Sequence, residues 1–201
     1  MAVADRINQG ARKMPIWPLY LLALAYAGYQ FWLGLSGVWV EPINTLERQY
    51  GEAALTMLIV SLTITPIREY LRINLIKFRR ALGLIAFFFV VAHFLVWALL
   101  DVQSASRVWA DIVKRPYVTV GMVGFVLLIP LAATSANRII RKIGPILWRR
   151  IHSLVYPAVL LACLHYLWLA RGFQIEPIAY LVITIGLLVL RLKPVKRRVA
   201  A

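Results

Sequence analysis

Six apolar runs, separated by short segments that hold nearly all the charge, constrain this chain more than any other feature. The fifth run, Ile151 to Ala170, carries no formal charge. It is long enough to cross a bilayer core as a helix, which takes about 20 residues. The third run, Ala81 to Leu100, reads ALGLIAFFFVVAHFLVWALL. The others are Ile16–Leu35, Ala53–Ile67, Tyr117–Ala133 and Pro177–Leu190. In lipid every backbone polar group must be satisfied internally, and continuous apolar runs do that as helices. The expectation is an all-α integral membrane bundle of six transmembrane helices over residues 16–192. Basic tails flank it at residues 1–15 and 193–201. The second run is short and contains Thr63, Thr65 and Pro66, so it is expected to recruit flanking residues or to thin the bilayer locally.

Charge sets the orientation. The chain carries a formal charge of +15. In a soluble protein that balance suggests a nucleic-acid partner. Here 62% of residues are hydrophobic and the basic residues sit between the runs, so the lipid bilayer is the setting and nucleic acid is not a partner. With the N-terminus in the cytoplasm, all but Arg48, Arg107, Lys114, Arg115 and Arg171 of the 23 Lys and Arg face inward. Cytoplasmic loops favour Lys and Arg, so both termini are predicted cytoplasmic. The third and fifth runs then point the same way, from inside to outside. The lone Cys163 lies inside a run and excludes a disulfide framework within the chain.

All three histidines, His93, His152 and His165, fall in these runs or at their edges. An ionisable side chain in lipid is costly and normally faces the bundle interior, where it marks function. Uncharged imidazoles on facing helices suit metal ligation, above all axial ligation of haem iron. His93 and His165 lie at similar depth toward the outer side, so they can face each other. His152 precedes His165 by thirteen residues, about 20 Å along a helix. The third run offers no histidine at that inner depth. Arg79 stands there instead, fourteen residues before His93, within about 40° of the same face. Guanidinium is a poor metal ligand and a good partner for carboxylate or phosphate, so a haem propionate and a flavin phosphate both suit it. On one ideal helix His152 and His165 would point about 140° apart. Pro157 between them offers a place for the helix to kink. Each residue also has a plainer reading. A histidine can be a hydrogen-bonding helix contact, His152 an interfacial residue and Arg79 a topology charge.

The chain has no G-x-G-x-x-G after a strand, no phosphate-binding loop and no C-x-x-C. It therefore needs a separate electron donor and acceptor. No catalytic residue is assigned.

Three segments carry a resemblance to a known family. They are TPIREYLRINLIKFRRALGLIAFFFVVAHF from Thr65, KRPYVTVGMVGFVLLIPLAATSANR from Lys114, and RRIHSLVYPAVLLACLHYLW from Arg149. Over about residues 60–170 the chain resembles the MsrQ family, haem-binding membrane subunits of bacterial periplasmic methionine sulfoxide reductase systems. That family is part of the ferric reductase-like transmembrane group. Larger members of the group hold two stacked haems with two histidines on each of two helices. Carried over, His93, His152 and His165 match three of those positions as ligands of haem iron, and Arg79 stands at the fourth. The resemblance also implies a multi-pass protein of the bacterial inner membrane with one or two b-type haems and an FMN. Its electrons would come from the quinol pool or a cytoplasmic flavin reductase. They would pass to a periplasmic molybdopterin-containing methionine sulfoxide reductase subunit of MsrP type, for repair of oxidised proteins. The chain would thus be an electron-transfer subunit of an oxidoreductase complex. The rivals are a stand-alone transmembrane ferric or cupric reductase, and a non-redox membrane scaffold or transporter.

Overall fold

The computed structural model describes residues 2–170 and 172–192. Among them the chain is all-helical, without strands. Helix α1 (Ala2–Lys13) precedes α2 (Trp17–Leu35) and α3 (Pro42–Leu71). Helix α4 (Ile76–Leu95) continues as a π-helical turn over Val96–Val102. Then come α5 (Ala105–Lys114), α6 (Pro116–Ala133), α7 (Asn137–His152), α8 (Val155–Leu169) and α9 (Ile175–Leu192). Four stretches are long and apolar enough to cross a membrane: α3, α4 with its π turn, α6, and the run from α7 through α8. The turn expected at Arg171–Gly172 lies partly outside the described residues, as does the 193–201 tail.

The segments expected to be loops contain helices of their own. The N-terminal tail folds as α1, which is anchored from both sides. Asn8 Nδ2 donates to the Arg72 carbonyl at 3.0 Å, and Lys77 Nζ donates to the Arg12 and Met14 carbonyls at 3.0 and 2.6 Å. The 36–52 loop is shorter than expected because α3 starts at Pro42, whose missing N–H costs nothing in a first turn. The short second run is thereby extended to 30 residues. The outer loop after the third run forms α5, and the basic stretch before the fifth run forms α7. Neither buries a residue. Helix α5 has an apolar and a polar face, as helices lying along a membrane surface do, whereas α7 is two shorter helices that meet at a kink at Gly144.

The fifth run is not one continuous helix. It breaks at Ser153–Leu154, so His152 ends α7 while His165 belongs to α8. Pro157 is the cause. It supplies no N–H to the Ser153 carbonyl, which accepts from the Tyr156 N–H at 3.1 Å instead. The 140° mismatch of an ideal helix therefore does not arise, because the two histidines lie on different helices.

Two packed clusters hold the bundle. One joins α3, α4, α6 and α8 through Leu55, Leu58, Leu62, Ala86, Leu128, Ala158, Val159 and Cys163. The other joins α2, α3 and α4 through Ala27, Leu46, Tyr50, Ala54, Ile85 and Phe89. The most extensive pairings are α3 with α4 and α6 with α8. At Gly124 α6 lies against α8, where a Cβ would stand in ordinary contact, 3.6 Å from the Ala158 carbonyl oxygen, and a larger side chain would meet the backbone of α8. Helix α9 is tied in differently. Pro66 inside α3 leaves the Leu62 carbonyl without its helical donor. Arg191 Nη2 fills that vacancy at 2.7 Å and also reaches Thr65 Oγ1 at 3.2 Å. Its Nη1 donates to the Tyr156 hydroxyl at 2.9 Å.

Candidate functional site

His93 from α4 and His165 from α8 face each other. Their ring centroids are 6.3 Å apart and the ring planes make an angle of 79°. Each ring is held in the same way. His93 Nδ1 lies 2.8 Å from the Glu47 carbonyl on α3, and His165 Nδ1 lies 2.7 Å from the Tyr117 carbonyl on α6. A carbonyl only accepts, so Nδ1 carries the proton in both rings and Nε2 keeps its lone pair. That is the tautomer a metal-binding imidazole needs.

Two glycines permit this approach. Gly51 stands four residues after Glu47, and Gly121 four residues after Tyr117. In a helix residue i+4 lies above the carbonyl of residue i. A Cβ on Gly51 would be 3.1 Å from His93 Nδ1, and one on Gly121 would be 2.8 Å from His165 Nδ1. The bundle thus repeats one device twice: a carbonyl, a glycine one turn on, and a histidine from the paired helix. Sequence reasoning did not single out either glycine or either residue that supplies the accepting carbonyl. The only available signal was a glycine within an apolar helix, which is too common to select.

The rings border a cavity of about 560 Å³. Leu55, Leu58, Val90, Phe94, Phe125 and Leu128 give it apolar walls, and Gly51, Ala54, Gly121, Gly124, Ala158 and Ala162 keep it wide. At the end where Glu47, Asp101, Arg115 and Gln174 lie the lining turns polar. There Arg48 joins α3 to α9: its Nε is 2.6 Å from Glu52 and its Nη2 is 3.5 Å from Glu176. Tyr166 of α8 donates to the same Glu52 carboxylate at 2.8 Å.

Two imidazoles suit a metal between them. Two metal–nitrogen bonds of about 2 Å plus two ring half-widths of about 1.2 Å make about 6.4 Å, close to the observed spacing. Among the described residues no group of three or more His, Cys, Asp or Glu could hold a bare ion. A metal here would take its remaining ligands from elsewhere, as in a macrocyclic chelate, and the largely apolar lining suits an apolar one.

His152 and Arg79 are brought together at the other end of the bundle, away from that cavity. Arg79 lies near the Tyr156 hydroxyl and within electrostatic range of Arg191 and Arg68. His152 is within range of Arg79 and Arg80, and its ring lies 4.2 Å from that of Trp148. Its Nε2 is 3.2 Å from Thr134 Oγ1. That hydroxyl spends its proton on the Pro130 carbonyl at 2.6 Å, so Nε2 of His152 must donate. Only Nδ1 of His152 keeps a lone pair in this arrangement. The region is rich in donors, and Trp148 Nε1 and Arg191 Nε are both buried without an acceptor.

Residues 50–163 match the family described as ferric reductase like transmembrane component. A protein of Brucella ovis, called protein-methionine-sulfoxide reductase heme-binding subunit MsrQ, is 40% identical over 179 residues, covering 88% of this chain and 81% of its own length. The protein of that name from Brucella anthropi is 40% identical over 192 residues, covering 90% of this chain and 87% of its own. The family match takes in His93 and ends two residues before His165, and with relatives 40% identical over most of its length the chain belongs to the ferric reductase-like transmembrane family and, within it, to the MsrQ group.

Proposed function

We propose that this chain is a b-type membrane cytochrome that passes electrons across the bacterial inner membrane to a periplasmic methionine sulfoxide reductase subunit. The observation that carries the reading is the facing pair His93 and His165, each with Nδ1–H spent on a backbone carbonyl, beside an apolar cavity. Bound there, haem supplies a one-electron carrier. The protein's own part is to hold the two imidazoles in one tautomer, orient them and surround the group between them with leucine and phenylalanine walls. The name the relatives carry supports both the haem and the reductase system.

The finer reading has six spans, with α2 and α9 crossing alongside the four longer stretches, and both termini in the cytoplasm. The cavity then opens toward the periplasm, where a molybdopterin-containing partner of MsrP type would accept electrons. Arg79 and His152 fall at the cytoplasmic end, where electrons enter from the quinol pool or a flavin reductase. Arg191 and Arg68 gather there around Arg79, so an acceptor-rich group suits the site: the phosphate of FMN or the propionate of a second haem.

The test is the visible spectrum and haem-to-protein ratio of the purified protein and of its His93→Ala and His165→Ala variants. The wild type should show a low-spin bis-histidine haem, and each variant should lose that signal. Full haem content with an unchanged spectrum in both variants would overturn the ligand pair. A colourless wild type would overturn the cytochrome reading altogether. Fast reduction of ferric or cupric ions by the pre-reduced protein, without a periplasmic partner, would favour a stand-alone metal reductase.

A further inference from the structure

The twin construction around His93 and His165 does more than make room. A helical carbonyl has two lone pairs, and the intrahelical N–H uses one of them. The second is normally screened by the side chain one turn further on. At Glu47 and Tyr117 it is open, because the residues one turn on are Gly51 and Gly121. In each case the atom that an added Cβ would meet first is Nδ1 of the histidine, the atom bonded to that carbonyl. The glycine, the carbonyl and the ring nitrogen are therefore one unit.

We propose that Gly51 and Gly121 are positioning residues that set the electron-donating strength of His93 and His165 by holding each Nδ1–H on its carbonyl. This inference rests on the haem reading above. An imidazole whose N–H is spent on a carbonyl is a more basic ligand. A more basic ligand favours the oxidised metal, so this bond holds the reduction potential down. Losing it raises the potential. The two sides are unequal. A Cβ at position 121 would lie 2.8, 3.0 and 3.2 Å from three atoms of the His165 ring, and one at 51 would lie 3.1 and 3.3 Å from the two nearest atoms of His93. The ring of His165 must move away, whereas that of His93 needs to give by only a few tenths of an ångström.

The experiment measures haem content, optical spectrum and midpoint potential of the full chain carrying Gly121→Ala, Gly51→Ala or Gly83→Ala. Gly83 is the control, since it lies on α4 with His93 and an added Cβ there meets nothing within 4 Å. Alanine is the better helix former, so intrinsic propensity alone predicts that all three variants gain stability. The inference predicts otherwise. Gly121→Ala should raise the potential or lose the haem, Gly51→Ala should raise the potential by less, and Gly83→Ala should match the wild type. Gly51→Ala keeps the test decisive if Gly121→Ala does not assemble. Wild-type potentials in both cavity variants, or the same change in all three, would overturn the inference. Those outcomes leave the haem reading standing, whereas a wild type that binds no haem refutes that reading instead.

Discussion

Replacing Arg191 tests how α9 is held. Leucine at 191 removes the bonds to Leu62 O, Thr65 Oγ1 and the Tyr156 hydroxyl. Two effects oppose each other in the single variant. Removing a guanidinium from a membrane helix is itself favourable, by up to about 2.5–3.5 kcal/mol at the bilayer centre and by less near an end such as this. Against that, the Leu62 carbonyl loses its donor, because Pro66 cannot serve it, and an orphaned buried acceptor costs about 1–3 kcal/mol. A double-mutant cycle separates them. Pro66→Ala restores a helical N–H to the Leu62 carbonyl, so Arg191→Leu should cost about 1–2 kcal/mol less on that background than on the wild type. The guanidinium's desolvation is common to both backgrounds and cancels. The assay is reversible unfolding of the four proteins in mixed detergent micelles, read by far-ultraviolet circular dichroism. Additivity within about 0.5 kcal/mol would refute the argument that Arg191 replaces the donor missing at Pro66.

Further outcomes follow from the same geometry. A reporter fused after Ala201 should be active only if it works in the cytoplasm; periplasmic activity would reverse the proposed orientation. Arg79→Ala should slow reduction from the cytoplasmic side while leaving the spectrum of the His93–His165 haem intact, and Arg79→Lys should restore only part of the rate, since an ammonium lacks the planar fork. His152→Ala should act in the same direction, and normal rates in both alanine variants would return these residues to surface roles. Gly124→Val should force α6 away from α8 at the Ala158 carbonyl and cost about 1–3 kcal/mol, measured by the same unfolding assay; an unchanged stability would mean that the contact is not tight.

The helical class, the membrane setting and the three histidines were legible in the sequence, because each depends on local composition. A run of apolar residues must hide its backbone polar groups from lipid whatever its neighbours are, so helices follow without tertiary information. Paired histidines at equal depth follow from counting 1.5 Å per residue along such helices. The basic stretches also hid helices. Residues 137–150 read as a loop because their charge and the Gly144–Pro145 pair outweigh their few apolar positions. The break at Ser153–Leu154 was signalled by Pro157, but where the chain would re-form was decided by the Tyr156 N–H finding the Ser153 carbonyl.

What tertiary structure alone decided is which backbone meets which ring. Glu47 and His93 are 46 residues apart, and Tyr117 and His165 are 48 apart. Nothing local couples them. Only the pairing of α3 with α4 and of α6 with α8 puts Gly51 under one imidazole and Gly121 under the other. The sequence by itself determined that imidazoles would lie in the membrane. The tautomer, the facing of the rings and the space between them came from helix packing, because a hydrogen bond between distant residues exists only once the helices that carry them have met.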